Sequence, residues 1–137
     1  MNTDSRFMKT TFLTLMVMLV IVSCKRDTPT TNECITYSQS PVTEVAGPKI
    51  GMPNQNMIYT VSFGCNSGCA KENTLSETVS GNTRTIAVTT KYVGCVCTMI
   101  APILQTSYTF KTAQTGTYYL KFLQSNNNFI IDTLVIQ

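Results

Sequence analysis

Short segments in which apolar and polar residues alternate recur along the chain after residue 34. Valine, isoleucine, threonine, tyrosine and phenylalanine dominate these segments, and glycine, asparagine, serine or proline separates them. Alternation with a period of two places every second side chain on one face of a strand, and β-branched and aromatic residues favour that conformation. Because no segment after residue 24 shows a sustained helical period, the pattern predicts an all-β domain.

The alternation also predicts where the strands lie and which of their faces are buried. The expected strands are 35–38, 42–46, 57–63, 74–79, 84–93, 106–110, 116–122 and 129–136. The clearest core faces are Met57, Tyr59, Val61 and Phe63; Ile86, Val88 and Tyr92; and Tyr118, Leu120 and Phe122. Gly81-Asn82 suits a two-residue hairpin turn between 74–79 and 84–93. Seven or eight short strands in about 100 residues fit a sandwich of two sheets.

The segment Ala113-Gln114-Thr115-Gly116-Thr117-Tyr118 resembles the tyrosine corner before strand F of immunoglobulin-like domains. The resemblance implies an Ig-like, Greek-key β-sandwich with Tyr118 as the corner tyrosine. Leu120 replaces the cysteine of antibody domains and the core tryptophan is absent, so the resemblance is to the general Ig-like sandwich. A different Greek-key sandwich or a small barrel is the alternative. The mature chain, chiefly 85–98 and 116–122, also resembles a group of small uncharacterised bacterial lipoproteins, which implies no activity.

The N-terminal segment has the parts of a secretory signal peptide. Arg6 and Lys9 supply positive charge, residues 11–22 form an apolar run, and the small residue Ser23 precedes Cys24. A membrane-spanning helix needs about 20 apolar residues, and this run is shorter. We therefore expect residues 1–23 to be a cleaved signal peptide rather than a membrane span.

The four residues Ile21-Val22-Ser23-Cys24 resemble the lipobox of bacterial lipoproteins, whose commonest form has leucine first and alanine or glycine before the cysteine. The resemblance implies that Cys24 is linked to diacylglycerol, becomes the new N-terminus and is then acylated with a fatty acid such as palmitate. Two or more acyl chains give a stable membrane anchor. Residues 24–33 are polar and contain Pro29, so they are expected to be a flexible tether to a domain over 34–137. An ordinary signal peptide followed by an incidental cysteine is the alternative.

Export would place the remaining cysteines in an oxidising compartment, where disulfides form. They are Cys34, Cys65, Cys69, Cys95 and Cys97. Pairing about the Gly81-Asn82 turn brings Cys69 near Cys95, and Cys65 near Cys97, each within one residue of facing positions. We predict a Cys69–Cys95 disulfide, with Cys97 bonded to either Cys65 or Cys34.

A soft-metal site is the alternative interpretation of the same cysteines. Cys65-x3-Cys69 and Cys95-x-Cys97 would bring four thiolates together, Met99 could add a thioether, and Cu(I) or Zn(II) accepts such ligands. The spacing differs from the C-x2-C repeat of structural zinc sites. It also differs from the thioredoxin motif, which lies in an alternating α/β pattern. We therefore expect neither a metal nor another cofactor.

Charge and composition argue against two functional classes. After residue 23 there are eight basic and six acidic residues, and the basic residues are scattered along the chain, so no basic stripe predicts nucleic-acid binding. The chain has no histidine, which removes the commonest general base and metal ligand, and we expect no enzymatic activity. Tyr119, Lys121 and Leu123 fall on the outward face of strand 116–122 and are a candidate partner surface. Contact with a loop or another strand is the plainer explanation of that face.

Together these features predict a lipid-anchored protein of the cell envelope, attached to the outer membrane at its periplasmic face or at the cell surface. Its expected role is that of a non-enzymatic binding or structural module for an unknown protein or glycan ligand. The alternative is copper or zinc binding, or thiol redox chemistry, at Cys65, Cys69, Cys95 and Cys97.

Overall fold

The computed structural model describes residues 34–137, and the regular elements in that range are all β-strands. They are β1 (Ile35–Ser40), β2 (Val42–Ala46), β3 (Ile50–Gly51), β4 (Met57–Gly64), β5 (Ala70–Ser80), β6 (Thr83–Val93), β7 (Ile103–Phe110), β8 (Gly116–Ser125) and β9 (Asn128–Ile136). The predicted all-β fold is confirmed, and each of the eight expected strands is present. The two-residue strand β3 is an addition that the alternation did not predict. Within residues 34–137 no helix has the length and hydropathy needed to cross a bilayer.

The strands form two sheets that pack as a sandwich. The smaller sheet has the order β2-β4-β7. The larger sheet has six strands: five follow the order β5-β6-β8-β9-β3, and the sixth, β1, also pairs with β6. Strand β5 pairs with β6 along nearly its whole length. The other edge of β6 is shared by β1, antiparallel to residues 88–93, and by β8, parallel to residues 83–86. The larger sheet is therefore mixed, whereas the pairs of the smaller sheet are antiparallel.

The core lies between the sheets and is made by the faces that the alternation predicted. The sixteen buried apolar residues are Val42, Met57, Tyr59, Val61, Phe63, Cys65, Ile86, Val88, Tyr92, Tyr108, Phe110, Tyr118, Leu120, Phe122, Leu134 and Ile136. At its centre the rings of Tyr59, Tyr108 and Phe122 lie 5.8–6.3 Å apart between centroids, within the range of favourable aromatic pairs. Burial of this apolar surface is the main favourable contribution to folding.

Several polar groups that enter the core have partners there. The hydroxyls of Ser40 and Thr90 lie 2.7 Å apart and hydrogen bond between β1 and β6. Asp132 on β9 is buried and forms an ion pair with Lys49, whose side chain is exposed. The hydroxyl of Tyr59 donates to the carbonyl oxygen of Pro48, at 2.7 Å. These contacts offset the cost of removing polar groups from water.

The hairpin between β5 and β6 has the predicted register. Ser80 faces Thr83 and Val79 faces Arg84, so the turn is Gly81-Asn82, with Gly81 at a φ of 57°. A positive φ is the conformation that primed turns require and that glycine adopts without strain. The register shifts near the far end of the hairpin, between Ala70 and Glu72, where Lys71 has no facing partner.

The tyrosine corner is present and formed by Tyr118. Its hydroxyl donates to the carbonyl oxygen of Gln114 at 3.1 Å and lies 3.0 Å from the hydroxyl of Thr112. The bond runs back to the backbone four residues upstream, as it does in Greek-key sandwiches with this motif. It fixes the chain where the connection from β7 enters β8.

Tyr118→Phe is expected to lower the free energy of unfolding by about 1–2 kcal/mol, because the partners of the lost hydroxyl are partly buried and lose a bond. Urea denaturation followed by circular dichroism measures this change. The matched control is Tyr119→Phe, in which the neighbouring tyrosine is 45 % exposed and should change stability by less than about 0.5 kcal/mol. Equal losses in the two variants would contradict the role assigned to the corner.

Stability is also expected to fall at alkaline pH. Burial, with a smaller effect from the charge of Asp132, raises the pKa of Tyr59 to about 12. Burial likewise raises the pKa of Tyr108, with Glu77 adding to the effect. In the unfolded chain both phenols return to about 10, so between about pH 10 and 12 the unfolded state releases protons that the folded state retains. The free energy of unfolding should therefore decrease over this interval, and Tyr59→Phe should make the decrease shallower. A stability that is constant from pH 10 to 12 would exclude this linkage.

Candidate functional site

One end of the sandwich is built from two loops and the start of β1. The loops are residues 65–69, between β4 and β5, and residues 94–102, between β6 and β7. Backbone hydrogen bonds join them, from Gly68 N to Thr98 O at 3.2 Å and from Cys65 N to Pro102 O at 2.9 Å. Gly94 N donates to Cys34 O at 2.9 Å, which brings the start of β1 to the same place. We call this region the disulfide end.

Two disulfides cross-link the disulfide end. Cys34 is bonded to Cys95, with 4.9 Å between their Cα atoms, and Cys69 is bonded to Cys97, with 5.4 Å between theirs. The loop 94–102 is thus tied on one side to β1 and on the other to the loop 65–69. The predicted Cys69–Cys95 disulfide is wrong, and so is the expectation that Cys97 bonds to Cys65 or Cys34.

The hairpin register ends before it reaches these cysteines, which explains the error. Lys71 shifts the register of β5, and Val93 N donates to Cys69 O at 3.0 Å, so the backbone partner of Cys69 is Val93. Gly94 then has a φ of 142°, which turns the chain out of β6. A Cβ atom at Gly94 would lie 2.9 Å from the Cys69 sulfur, closer than real Cβ contacts. A side chain at Gly94 would therefore strain the turn that leads from β6 into the bridged loop.

Cys65 is the free thiol of the described residues, and it is buried in the core. Burial raises the pKa of its thiol, while hydrogen bonds with Thr90 and Tyr92 act in the opposite direction. The thiolate is the nucleophilic form of cysteine, so a buried thiol with a raised pKa is a poor nucleophile. Cys65 therefore serves as a small apolar side chain beneath the loops.

The bridges determine what the cysteines can bind. Three of the four ligands of the alternative soft-metal site, Cys69, Cys95 and Cys97, have no thiolate while they are in disulfides. Across residues 34–137 no three Cys, His, Asp or Glu side chains are grouped so that they could hold a metal ion. Met99 is almost fully exposed on the loop 94–102. Copper or zinc binding at this set would first require reduction of both bridges.

Tyr119, Lys121 and Leu123 lie on the outer face of the larger sheet. They face Thr133, Ile131 and Phe129 of β9. Lys121 Nζ lies 6.0 Å from the centre of the Phe129 ring, a distance at which a cation is attracted to an aromatic face. Tyr119 and Ile131 are exposed, whereas Lys121 and Leu123 are half-buried. We call Tyr119, Lys121, Leu123, Phe129 and Ile131 the β8–β9 strip.

Two surface depressions are too small to be typical small-molecule sites. One, of about 150 Å³, is lined by Tyr37, Glu72, Thr74, Thr89 and Lys91. The other, of about 210 Å³, is lined by Gln39, Pro41, Gln124, Ser125 and Asn126. Small-molecule sites usually enclose about 300–1,000 Å³. The charged pair in the first depression, Lys91 and Glu72, is an ion pair with 3.3 Å between nitrogen and oxygen.

Sequence reasoning missed a second exposed apolar surface, at the disulfide end. Val96 is 94 % exposed, Met99 97 % and Ile100 70 %. We call these three side chains the apolar tip. They lie in a loop where the alternation of apolar and polar residues stops. The pattern therefore does not predict whether their side chains are buried or exposed. The sequence feature that could have indicated this surface is the lack of charged residues from 94 to 102.

Cys24, the signal peptide over 1–23 and the tether over 24–33 lie outside the described residues.

Removal of cysteines in pairs tests the connectivity. In denaturant without reductant, the double variants Cys34→Ala/Cys95→Ala and Cys69→Ala/Cys97→Ala should each keep one reactive thiol, Cys65, because each loses a whole bridge. The mismatched variant Cys69→Ala/Cys95→Ala should show three, since it strands Cys34 and Cys97. A thiol left on Cys24 would add one to every variant alike. One thiol in the mismatched variant and three in the matched ones would reverse the assignment.

Comparison with known proteins places these features in a family. The family model described as the ORF11 beta-sandwich domain matches residues 59–136. No curated protein and no solved structure shows a significant match. The matched segment runs from β4 to β9 and includes the hairpin, both loops of the disulfide end and the tyrosine corner. Because the match covers more than half of the sequence, this chain belongs to the ORF11 beta-sandwich domain family.

Proposed function

We propose that this chain is an exported lipoprotein of the bacterial cell envelope, with a sandwich that acts as a non-enzymatic binding or structural module. The observation that supports this most directly is the pair of disulfides at one end of the domain. Disulfides persist in oxidising compartments and are rare in the cytosol, where thiols are kept reduced. A domain cross-linked by two disulfides is therefore suited to a compartment outside the inner membrane.

Export accounts for the N-terminal sequence. Residues 1–23 have the charged head, apolar middle and small final residue of a signal peptide. Four of the cysteines after Cys24 are in bridges and the fifth is buried, so all five have structural roles. Cys24 is the remaining cysteine, at the position where the lipobox resemblance puts acylation. We assign its acyl chains to the outer membrane, at the periplasmic face or the cell surface.

The buried titratable groups fit a module better than an enzyme. Asp132 is in the core and paired with Lys49, and Cys65 is in the core with a raised pKa. The phenols of Tyr59 and Tyr108 are also between the sheets, and their pKa values are raised by burial. Catalytic groups must reach a bound substrate in a cleft. These side chains instead contribute to packing and to the pairing of the sheets.

The β8–β9 strip is the surface that we assign to a protein or glycan partner. It combines an exposed tyrosine, aliphatic side chains and a lysine whose amino group lies 6.0 Å from the centre of the Phe129 ring. Tyrosine offers a large contact area and a polar hydroxyl, which suits both protein interfaces and sugar rings. The alternative function, metal binding or thiol redox chemistry at Cys65, Cys69, Cys95 and Cys97, requires reduced bridges, and no contact in the described structure favours it.

The anchor is tested by the intact mass of the membrane-bound product. The full chain, expressed in a bacterium that processes lipoproteins, should yield a protein that begins at Cys24 and has the added mass of a diacylglyceryl group and a fatty acid. Cys24→Ala is the control and should carry no acyl mass. A wild-type product that begins at another residue, or that lacks acyl mass, would contradict the lipoprotein assignment.

A further inference from the structure

The apolar tip is exposed although the domain has a well-filled core. Val96, Met99 and Ile100 project from the loop 94–102 and are 94 %, 97 % and 70 % exposed. Ile103 and Ile35, at the starts of β7 and β1, are also exposed. Clustered apolar side chains that remain in water mark an interaction surface more often than single ones do.

The disulfides hold this loop in place. Cys95 and Cys97 flank Val96 and are bonded to two different segments, Cys34 and Cys69. Gly68 N and Cys65 N add hydrogen bonds to the carbonyls of Thr98 and Pro102. The loop is therefore fixed at several points in a conformation that leaves its apolar side chains exposed. A surface ordered in advance loses less conformational entropy when it binds.

The charge pattern of the disulfide end fits a lipid surface. Neither residues 64–69 nor residues 94–102 include a charged side chain. The nearest charged residues in the sequence are Glu33, next to Cys34, the exposed Lys71 at the start of β5, and Lys91, which forms an ion pair with Glu72. Apolar residues with a basic residue beside them are the usual composition of segments that lie in the boundary between headgroups and acyl chains. Lys71 would favour anionic headgroups.

The position of the tether supports a bilayer as the surface that covers the tip. Cys34 is the first described residue, and it is bonded to Cys95, the neighbour of Val96 in the sequence. Nine residues lie between Cys24 and Cys34, and the ten residue steps, at about 3.3–3.6 Å each, reach at most about 36 Å. An acyl chain on Cys24 would therefore keep the bilayer within about 36 Å of Cys34 and the disulfide end. Tethering raises the effective concentration of the second contact.

We propose that the apolar tip, Val96, Met99 and Ile100, inserts into the interfacial layer of the phospholipid bilayer to which the chain is anchored. The proposal rests on the proposed lipid anchor. The tip would act as a second attachment that sets the orientation of the sandwich, with the Gly81-Asn82 turn pointing away from the membrane. The lipid chains hold the protein at the bilayer, and the tip determines which end faces it.

The absence of tryptophan from the sequence makes the test specific. Met99→Trp and Val96→Trp each introduce a single fluorescent reporter on the tip. Val79→Trp is the matched control, because Val79 is 54 % exposed and lies beside the turn at the other end of β5. Each full-length variant is produced with its leader and reconstituted in vesicles of phosphatidylcholine and phosphatidylglycerol, with or without brominated acyl chains. Intact mass shows whether each product is acylated.

Both tip reporters should emit at shorter wavelengths in vesicles than the control. Brominated lipid should quench them at least about twofold more strongly, because interfacial segments bury their apolar face about 5–10 Å into this boundary. Equal quenching of the tip and control reporters would overturn the proposal. A shift to shorter wavelengths without stronger quenching would also overturn it, since the tip would then be covered by protein.

Failure of the anchor is distinguishable from failure of the tip. A product without acyl mass contradicts the proposed lipoprotein, and it is then assayed with vesicles in excess. Stronger quenching of the tip reporters under that condition would still support insertion, while equal quenching would overturn it. Intact mass thus reports whether Cys24 is acylated, and fluorescence quenching reports whether the apolar tip is inserted in the bilayer.

Discussion

Strand β6 is hydrogen bonded along both of its edges, and the remaining structure depends on that arrangement. Strand β5 occupies one edge, and β1 and β8 share the other. The same pairing brings Cys34, at the start of β1, and Cys69, just before β5, to the point where the chain leaves β6 after Val93. The disulfides therefore result from the strand order, and they lock a geometry that the sheet has already established.

The parts of the fold that the sequence predicts are those that follow a regular period. The core faces of β4, β6 and β8 were predictable because apolar side chains recur at every second position, as Tyr59, Val61 and Phe63 do. The hairpin was predictable because Gly81-Asn82 suits one turn type. Tyr118 was recognisable because its motif is local in sequence, and its hydroxyl bonds only four residues back.

The parts of the fold that were not predictable lie where the alternation of apolar and polar residues stops. The cysteine pairing depends on the register shift at Lys71 and on the turn at Gly94, and neither feature alters the alternation on either side of it. Strand β3 has two residues, which is too short for alternation, and it pairs in parallel with β9. Thr90 and Asp132 are polar residues in the core, and only the structure reveals their partners, Ser40 and Lys49. The exposure of the apolar tip is likewise known only from the structure, because composition alone does not distinguish a buried Val96 from an exposed one.

The bridge between Cys34 and Cys95 has a mechanical consequence. Strand β1 begins directly after Cys34 and pairs antiparallel with the last residues of β6, so tension applied at its start would open the hydrogen bonds one at a time from Ile35. The Cys34–Cys95 disulfide precedes the first of those paired residues, so it transfers the force to the loop after β6. That loop is itself joined to Cys69. Pulling on the N-terminal side of the domain would therefore strain a covalent cross-link before it could peel the edge of the sheet.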